Sequence, residues 1–334
     1  MALRKKKHNT KFNRKLPIEH TRFYPYMQKY LEWSAITGCS QDTIKRRDSA
    51  LRRFINWCDE RDIKHPGRVT KPIIDRYQRH LYYYRKKDGS PLGFSSQNVM
   101  LTPIKGFFKW LTKQNYIEYN PASEIELPKK ERRLPRTILT TEEIESIMSQ
   151  PDIETPEGIR DRAILETFYA TGIRRKELTN LAIYDVDYKR QIVFIREGKG
   201  KQDRVIPIGE RALTWIAKYQ NDIRYQMESP LSGDALFLSD YGEPLNINHA
   251  SKVVKDSMNK ADVNYKGSCH LFRHAFATHM LENGADTRFI QAMLGHRDLN
   301  STQIYTRVSV EKLRQIYQAT HPANMGRKLE EITN

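Results

Sequence analysis

Residues 268–306 read SCHLFRHAFATHMLENGADTRFIQAMLGHRDLNSTQIYT. His270 and Arg273 are three apart, so a helix sets them on one face a turn from each other. Ala275, Thr278, His279 and Leu281 continue that helix, and Gly284 can end it. Asp286 is an N-cap for a second helix carrying Phe289, Ile290, Met293 and Leu294, which Gly295 closes directly before His296. Ser301 opens a third short helix bearing Tyr305. Two imidazoles, a guanidinium and a phenol therefore stand at the ends of consecutive short helices. That set suits an oxyanion: arginine offers a fixed fork of donors to phosphate, histidine donates or accepts, and a phenol can act as nucleophile. A lone His-x-x-Arg is usually a solvated helix face. The ordered set carries the reading.

The order His270-x-x-Arg273-His274, then Leu294-Gly295-His296, then Tyr305 resembles the C-terminal signature of the tyrosine recombinases, the Xer type in particular. The resemblance implies two more catalytic groups upstream, and both patterns are present. Residues 170–178 read ATGIRRKEL. They put the family's first catalytic arginine at Arg174 and its acidic position at Glu177, expected to orient neighbours rather than to react. Residues 198–202 read GKGKQ, and Lys199 matches the family's general acid, delivered on a mobile hairpin. Gln202 stands where the family often has a second basic residue. The resemblance covers residues 21–320.

At 334 residues the chain is long enough for two domains. Its net charge of +17 is unevenly placed: residues 1–136 hold 31 Lys and Arg against 13 Asp and Glu, and the rest hold 26 against 27. A basic first half before a near-neutral second half suggests a grip on a polyanion in front of a chemistry domain. Membrane surface or acidic protein would explain the charge alone; nucleic acid also explains the phosphate-directed residues. Cys39, Cys58 and Cys269 are widely spaced, which points away from a disulfide framework or zinc site and fits a reducing cytosol. No apolar run approaches ~20 residues, so no membrane span or membrane partner is expected. The basic start Arg4-Lys5-Lys6-Lys7 lacks a following apolar segment and reads as an arm rather than a signal peptide. A cytoplasmic protein is expected.

In chain order, aromatics cluster from Thr21 to Glu32, suggesting a first helix. Ser40 caps a second, running to about Cys58, with Ile44, Leu51, Phe54, Ile55 and Cys58 inside and Lys45, Arg46, Arg47, Arg52 and Arg53 on the other side. Thr70 caps a third, with Pro72 in its first turn. Ser95 or Ser96 starts a fourth, with Lys105, Lys109 and Lys113 as a basic stripe. Two prolines and five basic residues between Leu127 and Arg136 make a linker. Thr140-x-x-Glu143 is a capping box. Strand periodicity at residues 191–195 and 204–208 flanks a hairpin, residues 209–227 read as one helix, 235–242 as a short strand and turn, and 247–261 as a further helix. The fold expected is mainly α with a small β-hairpin (α+β). Its divisions are a basic arm at 1–20, a helical DNA-binding domain at 21–125, a linker at 126–139, a catalytic domain at 140–308 and a tail helix at 309–334 for contacts between protomers. The resemblance implies a core-binding domain that sets two helices in the major groove. On that reading Thr43, Lys45, Arg46, Arg47, Gln97 and Lys105 face DNA.

By the same resemblance, Tyr305 attacks a phosphodiester to give a 3′-phosphotyrosyl link and a free 5′-hydroxyl. His270 shares the tyrosine proton or bonds a non-bridging oxygen. Arg174, Arg273 and His296 hold the phosphate, and Lys199 protonates the leaving oxygen. No metal or other cofactor is expected, since two guanidiniums serve one phosphate. Partners implied are double-stranded DNA with inverted half-sites and a tetramer of this chain or a sister recombinase, with an accessory activator left open. Dimer resolution and mobile-element integration are both compatible. The rival readings are a type IB topoisomerase-like relaxing enzyme and a non-catalytic DNA-binding regulator.

Overall fold

Helix caps decide where the backbone turns, and most lie where the sequence puts them. The computed structural model describes residues 16–129, 138–196, 203–295 and 310–322, which fall into two compact units divided between the first two of these segments. Lys199, His296 and Tyr305 lie outside the described residues, as does the segment expected to form the third short helix.

The first unit holds α1 (Tyr24–Ile36), α2 (Gln41–Asp59), α3 (Lys71–Tyr83) and α4 (Phe94–Lys113). Ser40 Oγ accepts the Thr43 N–H at 3.3 Å and starts α2 as expected. Helix α4 begins earlier than its serines suggested, because the N–H groups of Ser96 and Gln97 both close on the carbonyl of Gly93. Apolar residues recurring at helical spacing turn Phe54, Tyr77, Phe107 and Phe108 into one aromatic core, each almost fully buried. The Phe54 ring lies 5.0 Å from Tyr77 and 5.9 Å from Phe108. Burying such a side chain contributes roughly 1.5–3 kcal/mol. Gly106 lets α1 approach α4 closely, since a Cβ there would meet the Tyr30 hydroxyl at 2.6 Å.

In the second unit, helices surround a short sheet and one buried helix. The elements are α5 (Thr141–Met148), α6 (Pro156–Thr171), α7 (Arg175–Thr179), β1 (Val186–Asp187), β2 (Ile192–Ile195), β3 (Arg204–Pro207), α8 (Glu210–Lys218), α9 (Ile247–Lys260), α10 (Cys269–Glu282) and α11 (Thr287–Leu294). The capping box holds: Glu143 N–H donates to Thr140 Oγ1, and Thr140 N–H to Glu143 Oε2. Helix α6 is buried on nearly all sides and packs against α8 and α10. Its charged groups survive burial because they are paired. Arg160 donates to Asp240 and the Leu238 carbonyl, and Glu166 accepts from Arg162 and Arg211. The antiparallel sheet runs β1-β2-β3, with Ile195 opposite Arg204 at the mouth of the hairpin.

Three expectations need correction. Residues 209–227 are not one α-helix: α8 ends at Lys218, a wide π-turn follows at Tyr219–Ile223, then a 3-10 turn at Arg224–Met227. The wide turn keeps both Tyr219 and Ile223 inside, where the Tyr219 hydroxyl accepts the Leu238 N–H. Residues 235–242 make isolated bridges, Ala182 with Ala235 and Leu238 with Pro244, rather than a strand. Leu139, expected in the linker, is buried in the second core, while the carbonyls of Glu126 and Pro128 are held by Gln78 and Asn98 of the first unit. In the single chain the tail helix, Val310–Thr320, is seated on its own unit. Tyr317 is 1 % exposed and its hydroxyl accepts the Gly209 N–H. His321 stacks on Tyr317 and donates to the Tyr169 carbonyl. An amphipathic helix too short to persist alone takes the nearest apolar surface.

Candidate active site

Helix α6 ends at Gly172, whose φ of +59° belongs to the left-handed region. A Cβ there would sit within 3.0 Å of both Phe276 and Leu294, so only glycine fits against α10 and α11. Ile173 then anchors the chain, 1 % exposed, and the turn delivers Arg174 to the N-cap of α7. Glu177, one turn on, accepts the Arg174 backbone N–H at 2.8 Å and Arg174 Nη1 at 2.7 Å. Arg174 Nη2 donates to the Gly295 carbonyl at 2.9 Å, and its side chain keeps 27 % exposure.

Arg273 arrives from α10. Phe272, Ala275 and Phe276 bury the inner face of this helix, while His270 and His274 are exposed. Arg273 Nη1 donates to the Gly172 carbonyl at 2.8 Å, and Nη2 to the Leu294 carbonyl at 2.7 Å. Burial, with Arg174 and Arg204 nearby, pulls its pKa down to about 9, and Glu177 only partly opposes this. The guanidinium remains charged at neutral pH, but in surroundings short of negative charge. Such a perturbed group in an open site is a mark of function.

The third guanidinium was not legible as a site residue. Arg204, first residue of β3, forks onto Glu177 with Nη1 at 3.0 Å and Nη2 at 2.8 Å, and its Nε donates to the Met293 carbonyl at 2.8 Å. Three arginines thus rest on three consecutive carbonyls, Met293, Leu294 and Gly295, at the end of α11. A helix C-terminus leaves such carbonyls unpaired and carries partial negative charge. Gly295 caps that end with a φ of +63°, and Asp286 begins the helix by accepting the Arg288 N–H, both as the sequence indicated. Glu177 is held down to about 2: burial opposes the charged form, but the Arg204 bonds, then those from Arg174, outweigh it. At working pH it is a carboxylate fully engaged by two arginines.

His270 opens the same face of α10 as Arg273. Although the residue is exposed, partial desolvation of its ring, then His274 and Arg175, lowers its pKa, which favours the neutral form able to accept a proton. The described residues therefore bring Arg174, Arg273, Glu177 and Arg204 into one cluster, with His270 on the adjoining helix face. Gly295 leads directly into His296, and Arg204 follows the segment that carries Lys199. Among the described residues no group of three or more His, Cys, Asp or Glu is arranged to hold a metal.

The residues expected to face DNA divide in the first unit. Lys45 and Arg46 are exposed. Thr43 is half-buried beside the Ser40 hydroxyl, and Arg47 donates to Ser34 Oγ at 2.6 Å beneath the Tyr30 ring. Gln97 needs correction: it is 2 % exposed and its amide donates to the Leu92 carbonyl, a loop acceptor that would otherwise lack a partner. Lys105 is half-buried and donates to the Ile125 carbonyl.

Guanidiniums gathered on a helix end, an imidazole three residues from one of them and a basic helical unit earlier in the chain fit one class of protein, those that transfer a phosphoryl group of DNA. The phage integrase family profile matches residues 137–312. The chain is 50% identical over 312 residues to tyrosine recombinase XerC 2 of Ralstonia nicotianae, covering 93% of this chain and 90% of the relative. It is 33% identical over 299 residues to tyrosine recombinase XerD of Staphylococcus epidermidis, covering 89% and 98%. In fold it is similar to the XerH site-specific recombinase bound to difH substrate, with a TM-score of 0.66 at 18% identity, covering 88% and 95%. It is also similar to the Tn1549 transposon integrase in complex with circular intermediate DNA, with a TM-score of 0.61 at 18% identity, covering 90% and 99%. The chain belongs to the phage integrase family: it is a tyrosine recombinase of the Xer kind, an enzyme that cleaves and rejoins DNA. Among the described residues, no helix is long and apolar enough to cross a membrane.

Proposed function

We propose that this chain is a site-specific recombinase that exchanges strands between two DNA sites through a 3′-phosphotyrosyl intermediate. The observation that carries this reading is the pair Arg174 and Arg273, each fixed by carbonyls of adjacent residues, Gly295 and Leu294, before any substrate arrives. Preorganised donors lower a barrier because they need no reorganisation when charge develops. Tyr305 supplies the oxygen that bonds to phosphorus as the bond to the 5′-oxygen breaks. His270 takes the phenolic proton or bonds a non-bridging oxygen, and Lys199 gives its proton to the departing 5′-oxygen. Arg174, Arg273 and His296 bear the charge of the pentacoordinate phosphorus. The covalent link preserves one phosphodiester equivalent, so a 5′-hydroxyl from the second duplex reverses the step without ATP. Four strands exchanged in this way call for a tetramer on two sites, each with inverted half-sites. The basic face of α2, with Lys45 and Arg46, supplies contacts to phosphate in the first unit.

The test uses a supercoiled plasmid bearing two direct copies of a site recovered by the chain from a random-sequence duplex pool. Resolution into two smaller circles without ATP is expected. Relaxation of supercoils with no exchange would instead identify a topoisomerase-like enzyme.

A further inference from the structure

Each basic residue given a part in the proposed cleavage step holds phosphate or moves a proton; Arg204 has neither part. It is 12 % exposed as a side chain, and three of its N–H groups are already committed: two to Glu177 and one to the Met293 carbonyl. Those bonds join three elements distant in sequence. One is β3, the strand that follows the Lys199 hairpin. The second is the start of α7, where Glu177 holds both the backbone and side chain of Arg174. The third is the end of α11, whose next carbonyls hold Arg273 and Arg174 and whose cap, Gly295, precedes His296. A Cβ on Gly295 would stand 3.3 Å from the Arg204 guanidinium, so that packing is close.

Resting on the strand-exchange reading above, we propose that Arg204 is a positioning residue of the cleavage reaction. It holds Glu177 in the one orientation that presents Arg174 to the phosphate, and fixes the hairpin strand against the helix end whose carbonyl holds Arg273 and whose cap precedes His296. The argument is geometric. Glu177 has two oxygens and accepts from Arg174 on both, so the carboxylate plane sets the Arg174 fork. Without Arg204, that plane is fixed from one side only. A misplacement of about 1 Å at a reacting group can lower a rate about 10²-fold. Charge supports the same view. The groups facing Glu177 are Arg174 from α7, Arg204 from β3 and, at longer range, Arg273 from α10. Removing Arg204 leaves burial opposed mainly by Arg174, so the Glu177 pKa must rise.

The experiment measures single-turnover cleavage of a nicked duplex, carrying the site recovered from the random pool, across acid to neutral pH. Gel-shift affinity and melting temperature are measured beside it. For Arg204→Ala, cleavage about 10²-fold slower at neutral pH is expected, with DNA affinity unchanged. The rate should fall further as pH drops and Glu177 takes up a proton, adding an acid limb to whatever dependence His270 gives the parent chain over the same range. Glu177→Gln combined with Arg204→Ala should abolish that added limb. Arg204→Lys restores a charge without the fork, so it should return the profile to the parental shape without recovering the rate. If Arg204→Ala cleaves at the parental rate, or loses DNA affinity and folding in step with cleavage while Arg204→Lys recovers all three, the proposal is wrong. If the parent chain itself forms no covalent product on this duplex, the strand-exchange reading fails instead.

Discussion

Arg273→Met separates the two jobs an arginine can do in a fold. Arg273 falls far below the usual arginine value, to about 9, first through burial and then through Arg174 and Arg204, against a smaller opposing pull from Glu177. At about 1.4 kcal/mol for each tenfold change in proton affinity, holding this charge opposes folding by roughly 5 kcal/mol. The sign follows from linkage: the folded pKa lies below the unfolded one, so the penalty is fully present below about pH 9 and fades as pH rises toward the value of an unfolded arginine. Against it stand the two bonds to the Gly172 and Leu294 carbonyls. As hydrogen bonds to a charged group they return about 1.5–3 kcal/mol each. The two contributions nearly cancel. Methionine keeps the aliphatic volume and removes both, so the melting temperature should move by no more than about 8 °C, given about 2–4 °C per kcal/mol in a unit of this size. Cleavage of a nicked duplex should fall about 10²–10³-fold, the usual result of removing one preorganised donor. Scanning fluorimetry and single-turnover cleavage give the two numbers. A fall of about 10 °C or more would refute the reasoning and make Arg273 a structural clamp.

Gly172→Ala should both destabilise the second unit and slow cleavage. A Cβ there meets Phe276 and Leu294 inside 3.0 Å, overpacking costs about 1–3 kcal/mol, and the carbonyl holding Arg273 must shift; denaturant melts and cleavage rates check it. Tyr317→Phe should lower stability by about 0.5–1.5 kcal/mol through loss of one buried hydrogen bond, and Tyr317→Ala by about 3–5 kcal/mol through an unfilled cavity, both read by denaturant unfolding. A fragment of residues 1–136, with 31 basic against 13 acidic residues, should bind duplex DNA with a log–log salt slope of about −0.9 per phosphate neutralised, and residues 137–334 far more weakly. Titration at several salt concentrations measures both.

Local signals carried most of the fold. Ser40, the Thr140–Glu143 box and the Asp286 and Gly295 ends of α11 are read correctly because each cap is set by a few adjacent residues. The long-range parts escaped. Arg204 looks like any strand arginine, and its partners Glu177 and Met293 lie 27 and 89 residues away. Gln97 looks like an outward polar residue on a basic helix; only the fold reveals a Leu92 carbonyl needing its amide. The change after Lys218 was not legible because Tyr219 and Ile223, both buried, keep the four-residue spacing of an ordinary helix face, so the pattern does not mark the wider turn. Amphipathicity located the tail helix but not its seat in the single chain, where the Tyr317 hydroxyl accepts a Gly209 N–H from 108 residues away.

The central claim is covalent chemistry at one tyrosine. The most direct measurement incubates the chain with a nicked duplex carrying its recovered site, from which the cleaved fragment diffuses away, then denatures the mixture and maps the DNA-linked peptide by mass spectrometry. The mechanism requires a band of increased mass whose modified peptide contains Tyr305, and loss of that band in Tyr305→Phe with site binding intact. A covalent band that persists in Tyr305→Phe, or a peptide linked through another residue, would contradict it.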